Sequence, residues 1–276
     1  MNSTKKVSIS KFKQGQFLVK EDVLAVEEPL EISLHFIEDG EKKRQSISIT
    51  MRTPGYDVEL ALGFLYTEGI ISSYDQIEKT NSFVANQINV HLKEDTKIDL
   101  EKLKRNFYTT SSCGVCGKSS IEAIHTIVSE HKPSSNDLIK LSPSLLLSLK
   151  DKINEHQSNF SQTGGIHASA LFNLNGKIIS IYEDVGRHNA LDKLIGHHLI
   201  TNNLDFKDMI LLLSGRASFE LIQKAIMAKI SIICAIGAPS SLAVELANEF
   251  GITLIGFLKN DSFNIYSQSH NIKHEN

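Results

Sequence analysis

Thiols are scarce in this chain. Three cysteines occur among 276 residues, an odd number that argues against a framework of paired disulfides. There is no tryptophan, and five prolines and 16 glycines are too few for a collagen-like or low-complexity chain. Long apolar runs are also missing. The longest, "MILLL" and "IICAIGA", are far too short to cross a bilayer. Behind the N-terminal lysines of "MNSTKKVSISKFKQGQ" no apolar segment follows, so no secretory leader is expected and the chain is expected to stay in the cytosol. The formal charge is −3, and no window gathers the basic residues into a stripe. The electrostatic footprint of a general nucleic-acid binder is therefore absent, whereas a nucleotide-sized ligand stays open.

What is present is an ordinary globular composition, 41% apolar and 22% charged. The length suits one large domain or two smaller ones. Turn formers concentrate in "HKPSSNDLIKLS" at 131–142, which sets the expected boundary between residues 1–135 and residues 136–276. In the first part, "PLEISLHFI" and "RQSISITM" flank "EDGEKK". Its Asp39-Gly40 predicts a hairpin over about 29–51. "TPGYDVELALGFLYTEGI" predicts a buried helix starting at Thr53-Pro54 and stopping at Gly69, and "NQINVHL" a further strand. Ser119 and Glu122 stand in capping-box spacing, so a helix is expected right after Cys116. Ser142-Pro143 opens another.

The second part alternates strand and helix: "KIISIY", "GRHNALDKLIGHHLI", "MILLL", "ASFELIQKAIMAKI", "SIICAI", "SLAVELANEFG", "ITLIGFL" and "FNIYS". That order predicts βαβ units on a mainly parallel sheet. The loops after the strands, "EDVGRH", "SGRAS", "GAPSS" and "FLKNDS", should then gather at its carboxyl edge, where such sheets bind ligands. The expected fold class is α/β, an N-terminal α+β domain followed by a three-layer βαβ-type domain.

Cys113 and Cys116 lie three positions apart in "SSCGVCGKSS". Zinc would need two further ligands at suitable spacing, and none is present, so no metal site is expected. Cys234, inside "SIICAIG", reads as a small core hydrophobe. Two chemistries remain. A dithiol redox site would draw on the following helix start and on Lys118. A sulfur carrier would use a thiolate on a mobile loop, residues 111–118, to take up and deliver the outer sulfur of a persulfide. Spacing alone does not choose between them.

At the edge, Asp184 or Glu183 stands at the start of the helix that carries Arg187, His188 and Asp192, with His188 and Asp192 on one face. For an isolated helix this would be a solvated ion-pair face, but its place at the edge points to a binding role. Ser214, Gly215 and Arg216 offer a close backbone approach, free N–H groups and a guanidinium, which suit a phosphate. Ser240 or Ser241 reads as an N-cap, and His167 as a hydrogen-bonded core residue.

Seven stretches, "LALGFLYTEGII", "CGVCG", "TGGIHASALF", "EDVGRHNALDKLIG", "SGRASFELIQKA", "LAVELA" and "ITLIGFLKNDSFNIYS", together resemble the formate dehydrogenase accessory sulfurtransferases, the FdhD family. They run in the family's order over residues 60 to 267. The resemblance implies a cytosolic homodimer that takes sulfur from a cysteine desulfurase as a cysteine persulfide. It implies delivery to the molybdenum bis(molybdopterin guanine dinucleotide) cofactor, bound as a substrate and destined for formate dehydrogenase. Cys113 would carry the persulfide and Cys116 would assist. The cofactor-binding segment would fall on Phe257, Leu258, Lys259, Asn260, Asp261 and Ser262, with Lys259 its only cation. The family's second domain resembles the cytidine deaminase fold. Deaminase chemistry needs H-x-E and a later C-x-x-C, and this chain has His167-Ala168-Ser169 with no such pair after it.

Overall fold

The computed structural model describes residues 3–96, 98 and 139–273. Cys113, Cys116, the 111–118 segment, the helix expected after Cys116 and the boundary residues up to 138 lie outside the described residues.

Strands β1 (Thr4–Lys13) and β2 (Gln16–Ala25) form a two-stranded antiparallel ribbon that no expectation from the sequence included. β3 (Glu28–Glu38) and β4 (Glu41–Arg52) are the expected hairpin. Asp39 and Gly40 both take left-handed φ, 51° and 80°, the requirement of a turn that matches strand twist. With β5 (Ile77–Asn81) and β6 (Gln87–Leu92) they make a four-stranded sheet in the order β4-β3-β6-β5.

Helix α1 (Asp57–Thr67) starts four residues later than Thr53-Pro54. The cause is local. Gly55 at φ 104° and Tyr56 at φ 57° break the helical path, and the Thr53 N–H donates to Asp184 rather than entering a helix. Buried Arg52 then grips Asp57 in the first turn through two bonds, 2.9 and 3.0 Å long.

α2 (Pro143–His156) begins where Ser142-Pro143 predicts, with Ser142 Oγ accepting from the Leu145 N–H at 3.1 Å. A short α3 (Ser158–Thr163) follows. Then come β7 (His167–Asn173), β8 (Ile178–Asp184), α4 (Arg187–Ile200), β9 (Met209–Leu213), α5 (Phe219–Met227), β10 (Ile232–Ala235), α6 (Ser241–Glu249), β11 (Thr253–Gly256) and β12 (Asn264–Ser267). The six-stranded sheet runs β12-β11-β10-β9-β7-β8. It is mixed rather than mainly parallel: β9, β10 and β11 pair in parallel, whereas β7 is antiparallel to both β8 and β9, and β12 to β11. A short β7–β8 hairpin connection causes the first exception, since adjacent strands joined by a turn must reverse. β8 still points the same way as β9, β10 and β11, so four strand ends share one edge.

The sheet lies between helices. Leu146, Leu149 and Ile153 of α2 pack on one face with Ala168, Phe172, Leu212 and Cys234. On the other face, α4, α5 and α6 cover Leu211, Leu213, Ile233 and Leu254 in a cluster that also takes in Leu30, Ile32 and Leu34 of β3 and Leu60, Leu62 and Leu65 of α1. The two sheets therefore share one apolar core, closed by α1 crossing α4.

Polar groups are sunk into this junction. Lys224 of α5 lies 3.1 Å from Asp192 of α4 and donates to Thr67 of α1 at 2.9 Å and to Glu68 at 3.2 Å. Burial pushes the Asp192 carboxyl up to about 6. Burial opposes charge on Lys224 as well, but Asp192 and Glu68 outweigh it and hold the ammonium above its ordinary range. Asp192 thus serves packing, and α4 is buried over Asn189–Gly196 rather than presenting a solvated ion-pair face. Among the described residues no helix is long and apolar enough to cross a membrane.

Candidate functional site

The common edge is built from four loops: 185–186 after β8, 214–218 after β9, 236–240 after β10 and 257–263 after β11. They are laced together through backbone groups. Gly237 N–H donates to Gly215 O at 2.9 Å, Ala217 N–H to Ala238 O at 3.1 Å, and Phe257 N–H to Gly237 O at 3.1 Å. Gly237 permits this close approach: a Cβ on it would lie 3.0 Å from both Arg216 N and Gly215 O. Ser240 caps α6, its Oγ accepting from the Ala243 N–H at 3.3 Å. Ser214 ties this edge to β7, accepting from the Ala168 N–H at 2.8 Å.

Because β7 enters the sheet at this edge, its first residue, His167, sits beside Gly215; a Cβ on that glycine would meet His167 Nδ1 at 3.2 Å. The sequence offered no sign of this, since the direction of β7 is set by pairing. His188, one residue into α4, lies 3.3 Å from Ser218 Oγ and 3.9 Å from the Glu220 carboxylate. Both imidazoles are biased against protonation. Burial, then the nearby Lys224 and Arg187, pull His188 down to about 4. Burial and Arg187 also lower His167. Glu220 belongs to the same cluster and was not anticipated. Burial works against its charge, yet hydrogen bonds at the start of α5 and the neighbouring cation leave it below the usual carboxylate range.

Arg187 Nε is buried without a hydrogen-bond partner among the described residues, while Arg216 is exposed at the rim. Phe257, at φ 51°, is 42% exposed, and Lys259, Asn260, Asp261 and Ser262 are exposed with it. Lys259 N–H closes that loop on Ser262 O at 2.8 Å, and Asn260 reaches Asp151 of α2 at 2.9 Å.

Two expected binding residues face inward instead. Leu258 is fully buried in the core beneath the loop, because its backbone N–H pairs with Ala235 O and turns the side chain under the sheet edge. Asp184 is also fully buried. Lys193 Nζ lies 2.6 Å from its Oδ2, which also accepts from Thr53 N–H at 3.1 Å, while Oδ1 accepts from Gly186 N–H at 2.8 Å and Asn189 Nδ2 at 3.1 Å. It braces the 185–186 loop against the β4–α1 connection. Glu183 caps α3, accepting from Asn159 and Phe160 N–H at 3.0 and 2.9 Å.

Arg187, Arg216, His167 and His188 thus stand at one edge of an α/β sheet, the edge where such sheets bind ligands, and no cluster of metal-ligating side chains occurs among the described residues. The comparisons with known proteins agree with that frame. The model of the FdhD/NarQ family matches residues 25–273, and the chain belongs to that family. It is 44% identical to the sulfur carrier protein FdhD of Sulfolobus acidocaldarius, covering 97% of this chain and 98% of that one. To the protein of the same name from Picrophilus torridus it is 46% identical over 91% and 92% of the two chains, and to that of Streptomyces avermitilis 42% over 98% and 95%. A solved structure from Desulfotalea psychrophila, provisionally described as a formate dehydrogenase accessory protein, superposes with a TM-score of 0.73 at 21% identity, covering 99% of this chain and all of that one; it shares the fold.

Proposed function

We propose that this chain is a sulfur carrier for the maturation of formate dehydrogenase. Cys113 is the carrying thiol. Its thiolate attacks the outer sulfur of a persulfide on a cysteine desulfurase, forming the Cys113 S–S bond while the donor cysteine leaves as a thiolate. Release of that sulfur as sulfide needs two electrons, and Cys116 supplies them: its thiolate closes a disulfide on Cys113 as HS⁻ departs, and a cytosolic dithiol reduces the disulfide afterwards. The recipient is the bis(molybdopterin guanine dinucleotide) form of the molybdenum cofactor, a substrate rather than a resident group.

One observation carries the assignment of the thiols. Cys234, the third cysteine, is fully buried in β10, and burial pushes its thiol up to about 12. Only a thiolate is nucleophilic, so persulfide chemistry falls to Cys113 and Cys116. Support for the nucleotide end comes from the edge site, where the exposed Arg216, the half-buried Arg187 and the exposed loop 259–262 meet the needs of a pyrophosphate for N–H donors and guanidiniums.

The test is direct. After incubation with a cysteine desulfurase and cysteine, the peptide holding Cys113 gains the mass of one sulfur atom, and Cys113→Ala abolishes the gain. A protein that gains no sulfur on either Cys113 or Cys116 is not a carrier. A Cys113–Cys116 disulfide that cycles with thioredoxin without ever bearing sulfur marks a redox protein instead.

A further inference from the structure

Charge is divided unevenly along this chain. Of its 29 basic and 32 acidic residues, the first 20 positions hold five lysines, Lys5, Lys6, Lys11, Lys13 and Lys20, and no acid, so the rest of the chain carries eight more acids than bases. Such asymmetry is a sign of a basic segment that meets an anionic surface. In sequence these lysines are too widely spaced to make a basic window; folding of the β1–β2 ribbon gathers them.

The outer half of the ribbon, residues 10–20, belongs to neither core cluster and is exposed throughout. Its register pairs Phe12 with Phe17, Ser10 with Val19, Lys13 with Gln16 and Lys11 with Leu18. Paired residues share a face, and neighbours along a strand alternate. One face of the tip therefore carries Phe12, Phe17 and Val19, and the other Lys11, Lys13 and Lys20 with Leu18. The rings of Phe12 and Phe17 pair with centroids 5.1 Å apart, yet they stay 61% and 75% exposed, and Val19 83%. The base, by contrast, is held. There α3 packs against β2, and Ser3 Oγ donates to Asn159 at 2.8 Å.

This separation of faces selects the ligand. A single-stranded nucleic acid brings base and phosphate to one groove, so its binders set aromatic and basic side chains side by side. Here the two kinds lie on opposite faces. A lipid surface suits that arrangement: an apolar face enters the boundary between headgroups and acyl chains, and long lysine side chains reach back to the headgroups. Anionic headgroups attract a tip that holds three lysines and no acid, while the acidic excess of the body keeps the rest of the chain off the surface.

From this pattern we infer that the ribbon tip is a peripheral membrane anchor. Phe12, Phe17 and Val19 enter the interface of a bilayer that contains anionic phospholipid, and Lys11, Lys13 and Lys20 contact its headgroups. The docking is reversible, because three apolar side chains and three cations fall far short of a spanning segment.

Vesicle co-sedimentation of the full chain tests this. Vesicles of phosphatidylcholine mixed with phosphatidylglycerol pull the protein down, and pure phosphatidylcholine binds it about tenfold more weakly or less. Lys11→Gln/Lys13→Gln/Lys20→Gln weakens binding to the anionic vesicles by about a hundredfold, and Phe12→Ser/Phe17→Ser does so by about as much. All five positions are exposed, so both variants keep the wild-type midpoint of thermal unfolding. The chain has no tryptophan, and Phe17→Trp therefore supplies a single reporter. Its emission shifts to the blue on anionic vesicles and is quenched by brominated acyl chains, whereas that of Leu18→Trp, on the lysine face, is quenched much less. The inference is overturned by a protein that stays in solution beside anionic vesicles, by binding that both multiple variants leave unchanged, or by equal quenching at positions 17 and 18. It is overturned equally by a tip that ignores vesicles and binds a single-stranded oligonucleotide.

Discussion

Gly63 of α1 and Gly196 of α4 meet backbone to backbone. A Cβ on Gly63 would lie 2.9 Å from Gly196 N and overlap the Asp192 carbonyl, and a Cβ on Gly196 would lie 2.8 Å from Gly63 N and overlap that of Glu59. Neither clash can be relieved by turning a side chain, because main chain stands on both sides. This crossing joins the two sheets into one core, so Gly63→Ala and Gly196→Ala should each cost roughly 3 kcal/mol or more, the upper range for overpacking. Chemical denaturation checks it. Gly165→Ala is the control, since a Cβ there meets nothing nearer than Thr163 O at 3.9 Å, and it should leave the midpoint almost unmoved.

Both glycines were visible in the sequence inside apolar helices, yet nothing local reveals that they face each other, since that depends on how distant helices cross. Elements with strong local chemistry were legible: the Asp39-Gly40 turn, the Ser142-Pro143 helix start, and the strand–helix alternation that brings Gly215, Arg216, Arg187 and the 257–262 loop to one edge. What escaped was set at long range. The β1–β2 ribbon hides because its apolar residues lie on both faces, leaving no clean alternation. The direction of β7, and with it the place of His167, follows from pairing. Asp184 looked like a binding residue because its loop is at the edge, but Lys193 and the Thr53 N–H draw its carboxylate into the junction.

That buried pair gives a second prediction. Lys193 and Asp184 have 1% and 0% of their side chains exposed and lie 2.6 Å apart, and Lys193 also donates to Thr53 O at 2.8 Å. Lys193→Met leaves the carboxylate without its cation away from water, at a cost of about 3–5 kcal/mol. Adding Asp184→Asn removes the stranded charge, so the double variant should recover part of the loss. Thermal unfolding of the two variants side by side tests this; a double variant less stable than Lys193→Met refutes it.

His188 yields a pH dependence whose sign is fixed by its surroundings. Burial, Lys224 and Arg187 all oppose the imidazolium, with only Glu220 favouring it, and the net result is a folded value of about 4. The unfolded chain, with an ordinary imidazole near 6.5, therefore binds more protons between about 4 and 6.5. The contribution of His188 to stability is complete above that window and is lost as pH falls through it. An NMR titration of the His188 ring protons should show a neutral ring at pH 6 and a midpoint near 4. A midpoint near the ordinary value would mean that the edge site is wetter and less cationic than its geometry indicates.

The clearest separation of fold from chemistry is at Cys234. It is packed with Ala168, Leu212, Ile232 and Ile255 in the core on the α2 side of the sheet, and a thiol raised to about 12 is ionised in only about one molecule in a hundred thousand at neutral pH. Cys234→Ala removes one small buried atom, a change of about 1 kcal/mol in stability. Sulfur loading by a desulfurase should be unchanged, and in the native protein an alkylating reagent should modify Cys234 only after denaturant is added. Cys113→Ala should behave in the opposite way, with no sulfur taken up. If Cys234→Ala were the variant that lost sulfur, the buried thiol would have to reach the surface during turnover, and the assignment of the carrier chemistry to Cys113 would fall.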